Sequence, residues 1–296
     1  MLRSLALTVG LFVLLAMAPA PPVQFSAGQF DKDVDLHGDP DAADLVIFIG
    51  GNQWFVMPRL VAAFQADHPE IHSVFYETLP PGVLAMQIER GALAVDNLVL
   101  HVHGDVYLSG QKRTAKLLSE GLVSAPETYA SNVLGIMVRA GNPLHVRSMR
   151  DLGRTGVRVA MPNPTTEGIA RQIETSYRLA GGEALDTEIM QSKRAAGTTV
   201  FTVIHHRETP LWIVQGKVDA GPVWLTEAQY QQRIHSGVVA VALPPPQNVG
   251  ASYVASVVTG TPHAAAAQAF LAFLLSPRGQ AIYRSYGFGP PVSIKE

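Results

Sequence analysis

One recurrence constrains this chain more than any other feature. A short apolar run is followed by a glycine- or proline-marked turn, and then by a stretch with helical spacing. Its sharpest instance is Leu45-Val-Ile-Phe-Ile49, apolar at every position, with Gly50-Gly51 directly behind it. A run without polar alternation suits a strand covered on both faces, the setting of a parallel sheet. Residues 55–67 then show helical spacing at Phe55, Leu60 and Phe64. The pattern returns with strands predicted at 74–76 and 105–109 and helices at 83–91 and 112–120. Farther on, strands are predicted at 133–138, 157–161, 199–204, 220–224, 238–243 and 253–259, with helices at 166–180 and 210–215. Such alternation predicts an α/β fold with crossover helices. At 296 residues the chain is long for one core and sufficient for two lobes.

Composition narrows the function classes. With a net charge of −2 and 16% charged residues, the chain has no electrostatic case for a nucleic-acid partner. It has no cysteine, which excludes disulfides, thiol catalysis, Fe–S or Cys-zinc sites and a lipidated-cysteine anchor. Arg3, the apolar run 5–17 and Ala18-Pro19-Ala20 read as an export signal, assigned to 1–27 with cleavage near Ala27. Pro21 disfavours cleavage directly after Ala20, so retention as a membrane anchor stays open. Residues 28–43 read as a linker. The expected location is the periplasm.

In open α/β sheets ligands bind at the carboxyl ends of strands, against helix N-termini whose free amides and dipole favour anions. Four segments have that form: Gly50-Gly51-Asn52-Gln53, Thr78 to Gly82, Pro162 to Gly168, and Ile204 to Pro210. The last contains Arg207, whose guanidinium can hold an oxyanion or carboxylate through two parallel bonds, and His205-His206, either of which can donate to an anion. If 205–206 continue a strand, the two imidazoles face opposite ways and at most one reaches the ligand. His101-Val-His103 and His205-His206 also have spacings that a zinc, nickel or copper ion could use. The bland reading, solvated or structural histidines, is preferred, and no metal or cofactor is assigned. The motifs G-x-S-x-G, H-E-x-x-H and the P-loop are absent. Ser109-Gly-Gln-Lys112 fits S-x-x-K without its companion elements and is read as chance, so no catalytic residue is expected.

The C-terminus adds a helix at 263–275, the N-cap Ser276, Pro277 in the first helical position, a second helix at 277–286, and Gly287 placed for a left-handed end. The wording AQAFLAFLLSPRGQAIYRSYGF resembles the end of bacterial extracellular solute-binding proteins, most closely the molybdate-binding type of ABC transporters. Gln215 to Trp224 is similar to that family's G-x-x-D-A-G-x-V-Y stretch. The resemblance implies a two-lobed periplasmic binding protein-like α/β fold, each lobe a mixed β-sheet flanked by helices, joined by a two-segment hinge. Lobe 1 would hold 44–131 and 250–296, and lobe 2 would hold 132–249. The helix pair would pack on the back of lobe 1, away from the cleft. The implied ligand contacts are Gly51, Asn52, Thr78, Gly82, Ser131, Asn132, Thr165, Thr166 and Trp224, to which the helix-start reading adds His206 and Arg207. The implied role is capture of an oxyanion such as molybdate or tungstate by a monomer that docks on an ABC permease, without catalysis. A small organic anion, a His-coordinated metal species, and a sensor or adhesin-like binder without a transporter are the alternatives. Asn52 stands where the family has a serine, and Glu77, Glu167 and Glu208 lie beside the implied contacts. A dianion would be repelled by them where water is excluded. Either they turn away, pairing with Arg207 or capping helices, or the ligand is not a simple oxyanion.

Overall fold

The computed structural model describes residues 36–95, 98–165, 167–203 and 205–292. The signal segment 1–27, linker residues 28–35 and Thr166 lie outside the described residues. In chain order the first elements are β1 (Leu36–His37), β2 (Leu45–Ile49), α1 (Met57–Asp67), β3 (Val74–Glu77), α2 (Pro81–Arg90), β4 (Leu93–Val95), β5 (Leu98–Leu100), β6 (Val106–Gly110) and α3 (Gln111–Ser119). Then come β7 (Glu127–Arg139), α4 (Met149–Leu152), β8 (Val159–Met161), α5 (Ile169–Thr187), α6 (Lys193–Ala195), β9 (Thr199–Phe201) and α7 (Thr209–Val214). The chain closes with β10 (Ala220–Trp224), α8 (Leu225–Arg233), β11 (Val238–Ala242), β12 (Gly250–Val257), α9 (Ala264–Leu275) and α10 (Pro277–Ser285).

The apolar run at β2 behaves as its sequence predicts. It is parallel to β3 and β6 and buried at every position. Its side chains split by the period of two: Leu45, Ile47 and Ile49 enter a core shared with Phe64 of α1, Phe270 of α9 and Tyr283 of α10. Val46 and Phe48 enter the opposite core, with Leu84 of α2 and Leu117 of α3. β12 completes this sheet, antiparallel to both β6 and β7.

β7 joins the two lobes. Its first half, through Val133, pairs with β12, and from Leu134 onward it pairs antiparallel with β10 and β11. In the second lobe β10 is parallel to β8, and β8 to β9. Leu134, Ile136 and Val138 face a core with Ile173 and Tyr177 of α5, while Met137 faces Trp212 of α7 and Ala228 of α8. The sequence pattern predicts only the part of β7 beyond 133. Glu127, Thr128, Ser131 and Asn132 interrupt its apolar signal, and backbone pairing with β12 carries the strand through them. Residues read as linker also carry structure, since β1 pairs with β3 and His37 stacks on Tyr76 at 4.3 Å.

The C-terminal pair forms as its caps dictate. Ser276 Oγ accepts from the Gly279 amide at 3.1 Å, and Gly287 ends the second helix at φ +91°. The pair packs against the first lobe's sheet, and none of its residues lines the cleft between the lobes. Tyr283 Oη donates to Gln53 Oε1 at 3.1 Å, beside Asn52. Beyond α10 the tail crosses β7 and β12 near the point where β7 passes between sheets. Gly289 N donates to Ser131 O at 2.8 Å, Ser131 Oγ to Pro290 O at 2.8 Å, and Ser252 Oγ to Val292 O at 2.8 Å.

Candidate ligand cleft

A cavity of about 460 Å³ lies between the lobes. The first lobe contributes Asn52, Pro81-Gly82 at the start of α2, and Ser109, Gly110, Lys112, Arg113 and Lys116 around the start of α3. The second contributes Thr165, Glu167 to Ile169, Arg171 and Gln172 around the start of α5, together with His205, His206 and Trp224. Tyr253 of β12 stands between them. α2, α3 and α5 all begin without a side-chain cap, so three positive dipole ends face one space, although Val83 and Leu84 of α2 and Ala170 and Arg171 of α5 already donate to backbone carbonyls.

The wall is graded by burial. Asn52, Ser109, His205, Trp224 and Tyr253 are buried, whereas Lys112, Arg113, Lys116 and Arg171 are exposed at the rim. Lys116 is held by Glu89 at 2.5 Å and Glu120 at 3.2 Å. Among the described residues the side chains of Lys112, Arg113 and Arg171 have no hydrogen-bond or ion-pair partner. The Arg113 guanidinium lies over Gly82, 3.4 Å from where a Cβ would stand.

Two buried networks set the floor. Val133 N donates to Asn132 Oδ1 at 2.9 Å, which aims the Asn132 amide at Thr226 Oγ1 (2.8 Å) and the Tyr253 hydroxyl (3.3 Å). Asn52 Nδ2 donates to the same hydroxyl at 2.5 Å. With two amides donating to its oxygen, Tyr253 has its own proton to offer to the cleft. Burial drives its pKa well above the phenolic range, so it stays a neutral donor.

The second network centres on His206. Its Nδ1 meets Glu167 Oε2 at 2.5 Å and its Nε2 meets Glu227 Oε2 at 2.7 Å. Burial alone would lower its pKa, but the Glu227 and Glu167 carboxylates outweigh burial and hold it at about 10. The imidazolium therefore donates from both nitrogens. His205 stacks on it at 4.1 Å. Burial, then the His206 and Arg207 charges, push His205 well below the usual imidazole range and keep it neutral. The Arg207 amide donates to His205 Nδ1 at 3.2 Å, which places the ring proton on Nε2. That Nε2 approaches Gly51, where a Cβ would stand 3.0 Å from it and 2.8 Å from Thr78 O.

The structure brings Asn52, Gly82, Thr165, His206 and Trp224 together on the cavity wall. Gly51 and Thr78 form the layer behind His205, and Asn132 acts through Tyr253. Ser131 turns its hydroxyl to the C-terminal tail rather than the cleft. Arg207 does not line the cavity. It is buried in a separate crevice with Trp54, Phe55, Glu227 and Tyr230. The histidines do not lie on a strand. His205 precedes a single 3₁₀ turn, His206–Glu208, and both rings reach the cavity wall. The three glutamates are engaged by the protein: Glu77 accepts from Gln87 at 3.0 Å, Glu208 from Val203 N at 2.7 Å, and Glu167 from Thr202 Oγ1 at 2.5 Å and His206 N at 2.8 Å. Glu167, His205 and His206 present donor atoms within 4.8 Å of one another. With both His206 nitrogens protonated and directed at carboxylates, that set does not fit a metal ion without dismantling the network.

Sequence reading missed Lys112, Arg113, Arg171, Gln172 and Tyr253. The signal for the first two was present, since Ser109-Gly110 ends a parallel strand and a helix follows at once. That is the pattern used to find the other cleft segments.

Two sheets sharing one long strand, with a cleft closed by helix N-termini from both sides, define a two-lobe periplasmic binding protein. Residues 45–289 match the family described as bacterial extracellular solute-binding protein, and the chain belongs to that family, a solute-binding protein of the ABC importer type. The molybdate-binding protein ModA of Mycobacterium tuberculosis is 24% identical over 254 residues, covering 84% of this chain and 86% of that one. Among solved structures, the periplasmic molybdate-binding protein of Azotobacter vinelandii superposes with a TM-score of 0.68 at 18% identity, covering 84% of this chain and 100% of that one. The sulfate-binding protein SubI of Mycobacterium tuberculosis does so with a TM-score of 0.65 at 22% identity, covering 83% and 86%. At these identities the structural likeness speaks for the fold. Among the described residues, no helix is long and apolar enough to cross a membrane.

Proposed function

We propose that this chain captures a small anion between its lobes outside the cytoplasm and presents it, as a monomer, to an ABC permease in the inner membrane. One observation carries this reading: three uncapped helix N-termini converge on a cleft whose rim holds Lys112, Arg113 and Arg171 without acidic partners. Unneutralised cations facing each other from two lobes repel until an anion sits between them, so ligand binding and closure favour one another. The hinge in this reading is β7 at 131–133 together with the start of β12 at 250–251, where the chain passes between the two sheets. The names of the relatives favour an oxyanion such as molybdate or sulfate, or tungstate by the same chemistry. A sensor or adhesin-like binder would use the same cleft without a permease.

The test is a thermal-shift screen across molybdate, tungstate, sulfate, phosphate, carboxylates and divalent metals. At least one anion should raise the melting temperature, as mass action requires of a ligand of the folded state. The double substitution Lys112→Ala, Arg113→Ala should abolish the shift without lowering the melting temperature of the free protein. Stabilisation by divalent metals alone, lost in His205→Ala, would overturn the anion reading. Wild-type uptake of the bound anion in a strain lacking this chain would overturn the transport role.

A further inference from the structure

The distribution of charge within the cleft says more than its sign. The buried wall combines the uncharged side chains Asn52, Ser109, Gln172, His205, Trp224 and Tyr253 with the Glu167–His206 pair. Behind this wall lie the Glu167–His206–Glu227 set and Arg207, whose charges are committed to one another inside the fold. A dianion pressed onto this wall would meet the Glu167 carboxylate and no cation open to it, since both His206 nitrogens are directed at carboxylates. The cations lie elsewhere, on the exposed first turns of α3 and α5. A bare tetrahedral oxyanion has only five heavy atoms and could fill only one of these zones, whereas a cavity of about 460 Å³ has the size of small organic ligand sites.

Gln172 adds a second, independent sign. It lines the cavity, it is 9% exposed, and its Oε1 is buried without a hydrogen-bond partner. Its Nε2 likewise has no partner among the described residues. An amide with both acceptor and donor unfilled matches a hydroxyl, which gives and accepts. A fully deprotonated oxyanion can only accept, so it fills the donor and leaves the acceptor without a partner.

Taking the anion reading above as its basis, we infer that the ligand is a small organic phosphate with a hydroxylated body. Its phosphate sits at the rim between Arg113 and Lys112 of the first lobe and Arg171 of the second, and its body reaches Gln172, Tyr253 and the Trp224 ring. Two guanidiniums can each hold a phosphate edge through paired bonds, and their placement on opposite lobes makes the phosphate the group that draws the cleft shut.

The experiment is isothermal titration of the full chain with glycerol 3-phosphate, glucose 6-phosphate, glycerol, glucose, inorganic phosphate, molybdate and sulfate at constant ionic strength. At least one phosphorylated compound should bind tenfold or more tighter than inorganic phosphate, and its unphosphorylated counterpart should not bind measurably. Arg171→Ala should weaken the organic phosphate at least tenfold without moving the melting temperature of the free protein. Gln172→Leu should weaken the organic phosphate and leave inorganic phosphate unchanged. Molybdate or sulfate binding tighter than every organic phosphate, with Gln172→Leu silent, would overturn this inference and leave the anion reading standing. Binding of glycerol or glucose as tight as their phosphates would overturn both.

Discussion

His206 and Arg207 are 4% and 6% exposed and sit in the second lobe beside Glu167, Glu208 and Glu227. A short distance away, at the mouth of the cleft, Lys112, Arg113 and Arg171 stand in solvent without acidic partners. The first pair is committed to the protein. Its positive charge is matched inside the fold, and it orders the loop that presents His205. The second group is uncommitted and can bind only something that arrives. Charge near a cleft is therefore a poor guide to ligand contact until its internal partners are counted. Arg207, the cation that sequence position favoured, fails that count, and Arg113 and Arg171 pass it.

The largest effect should come from breaking the committed set. His206→Ala removes the imidazolium between two buried carboxylates and leaves both without a cation at 2.5 and 2.7 Å. Breaking a buried ion pair from one side costs about 3–5 kcal/mol, because the charge left behind has no solvent. Urea denaturation should show a loss of that order. A loss under about 1 kcal/mol, within the range of an exposed ion pair, would mean that His206 belongs with the open group rather than the committed one.

The same contrast has a signature in pH. His206 is raised from 6.5 in the unfolded chain to about 10 in the fold. A raised pKa means that the folded state holds the proton more tightly, so this contribution to stability is complete below pH 6.5 and fades as pH rises toward 10. Unfolding free energy followed by denaturant titration should fall across that window, and the fall should flatten in His206→Gln. Anion affinity should not follow that fall, since the rim side chains of Lys112, Arg113 and Arg171 make no bond to the His206 set. An affinity that tracks the stability curve would join the two groups into one functional unit and break the comparison.

The sequence announced what local physics decides. The run at 45–49, the Ser276-Pro277 cap and the left-handed Gly287 after α10 are each fixed by a few neighbouring residues, and each appears where predicted. The first half of β7 was hidden because Ser131 and Asn132 are held there by pairing with β12, more than a hundred residues away. The cleft was legible where a loop follows a strand, as at Asn52, Gly82 and Thr165. It was not legible where direction matters: one residue separates His206, on the cavity wall, from Arg207, in another crevice. Tyr253 carried no sequence signal, because its role comes from two asparagine amides that converge on it from Asn52 and Asn132.

Ser131 supplies the smallest and most discriminating test. Its place in the chain marks it as a ligand contact, yet its hydroxyl donates to Pro290 O and its backbone pairs with Gly289. Gly289 has no room for a side chain there, since its Cβ would meet Ser131 Oγ at 2.4 Å. Ser131→Ala should thus cost about 0.5–1.5 kcal/mol of stability, the net value of one ordinary hydrogen bond. Affinity for whichever anion binds should change by less than twofold. A tenfold loss of affinity with unchanged stability would show that the hydroxyl swings from Pro290 to the ligand on closure. It would then move from the committed groups to the open ones, and the tail over β7 would become part of how the lobes move.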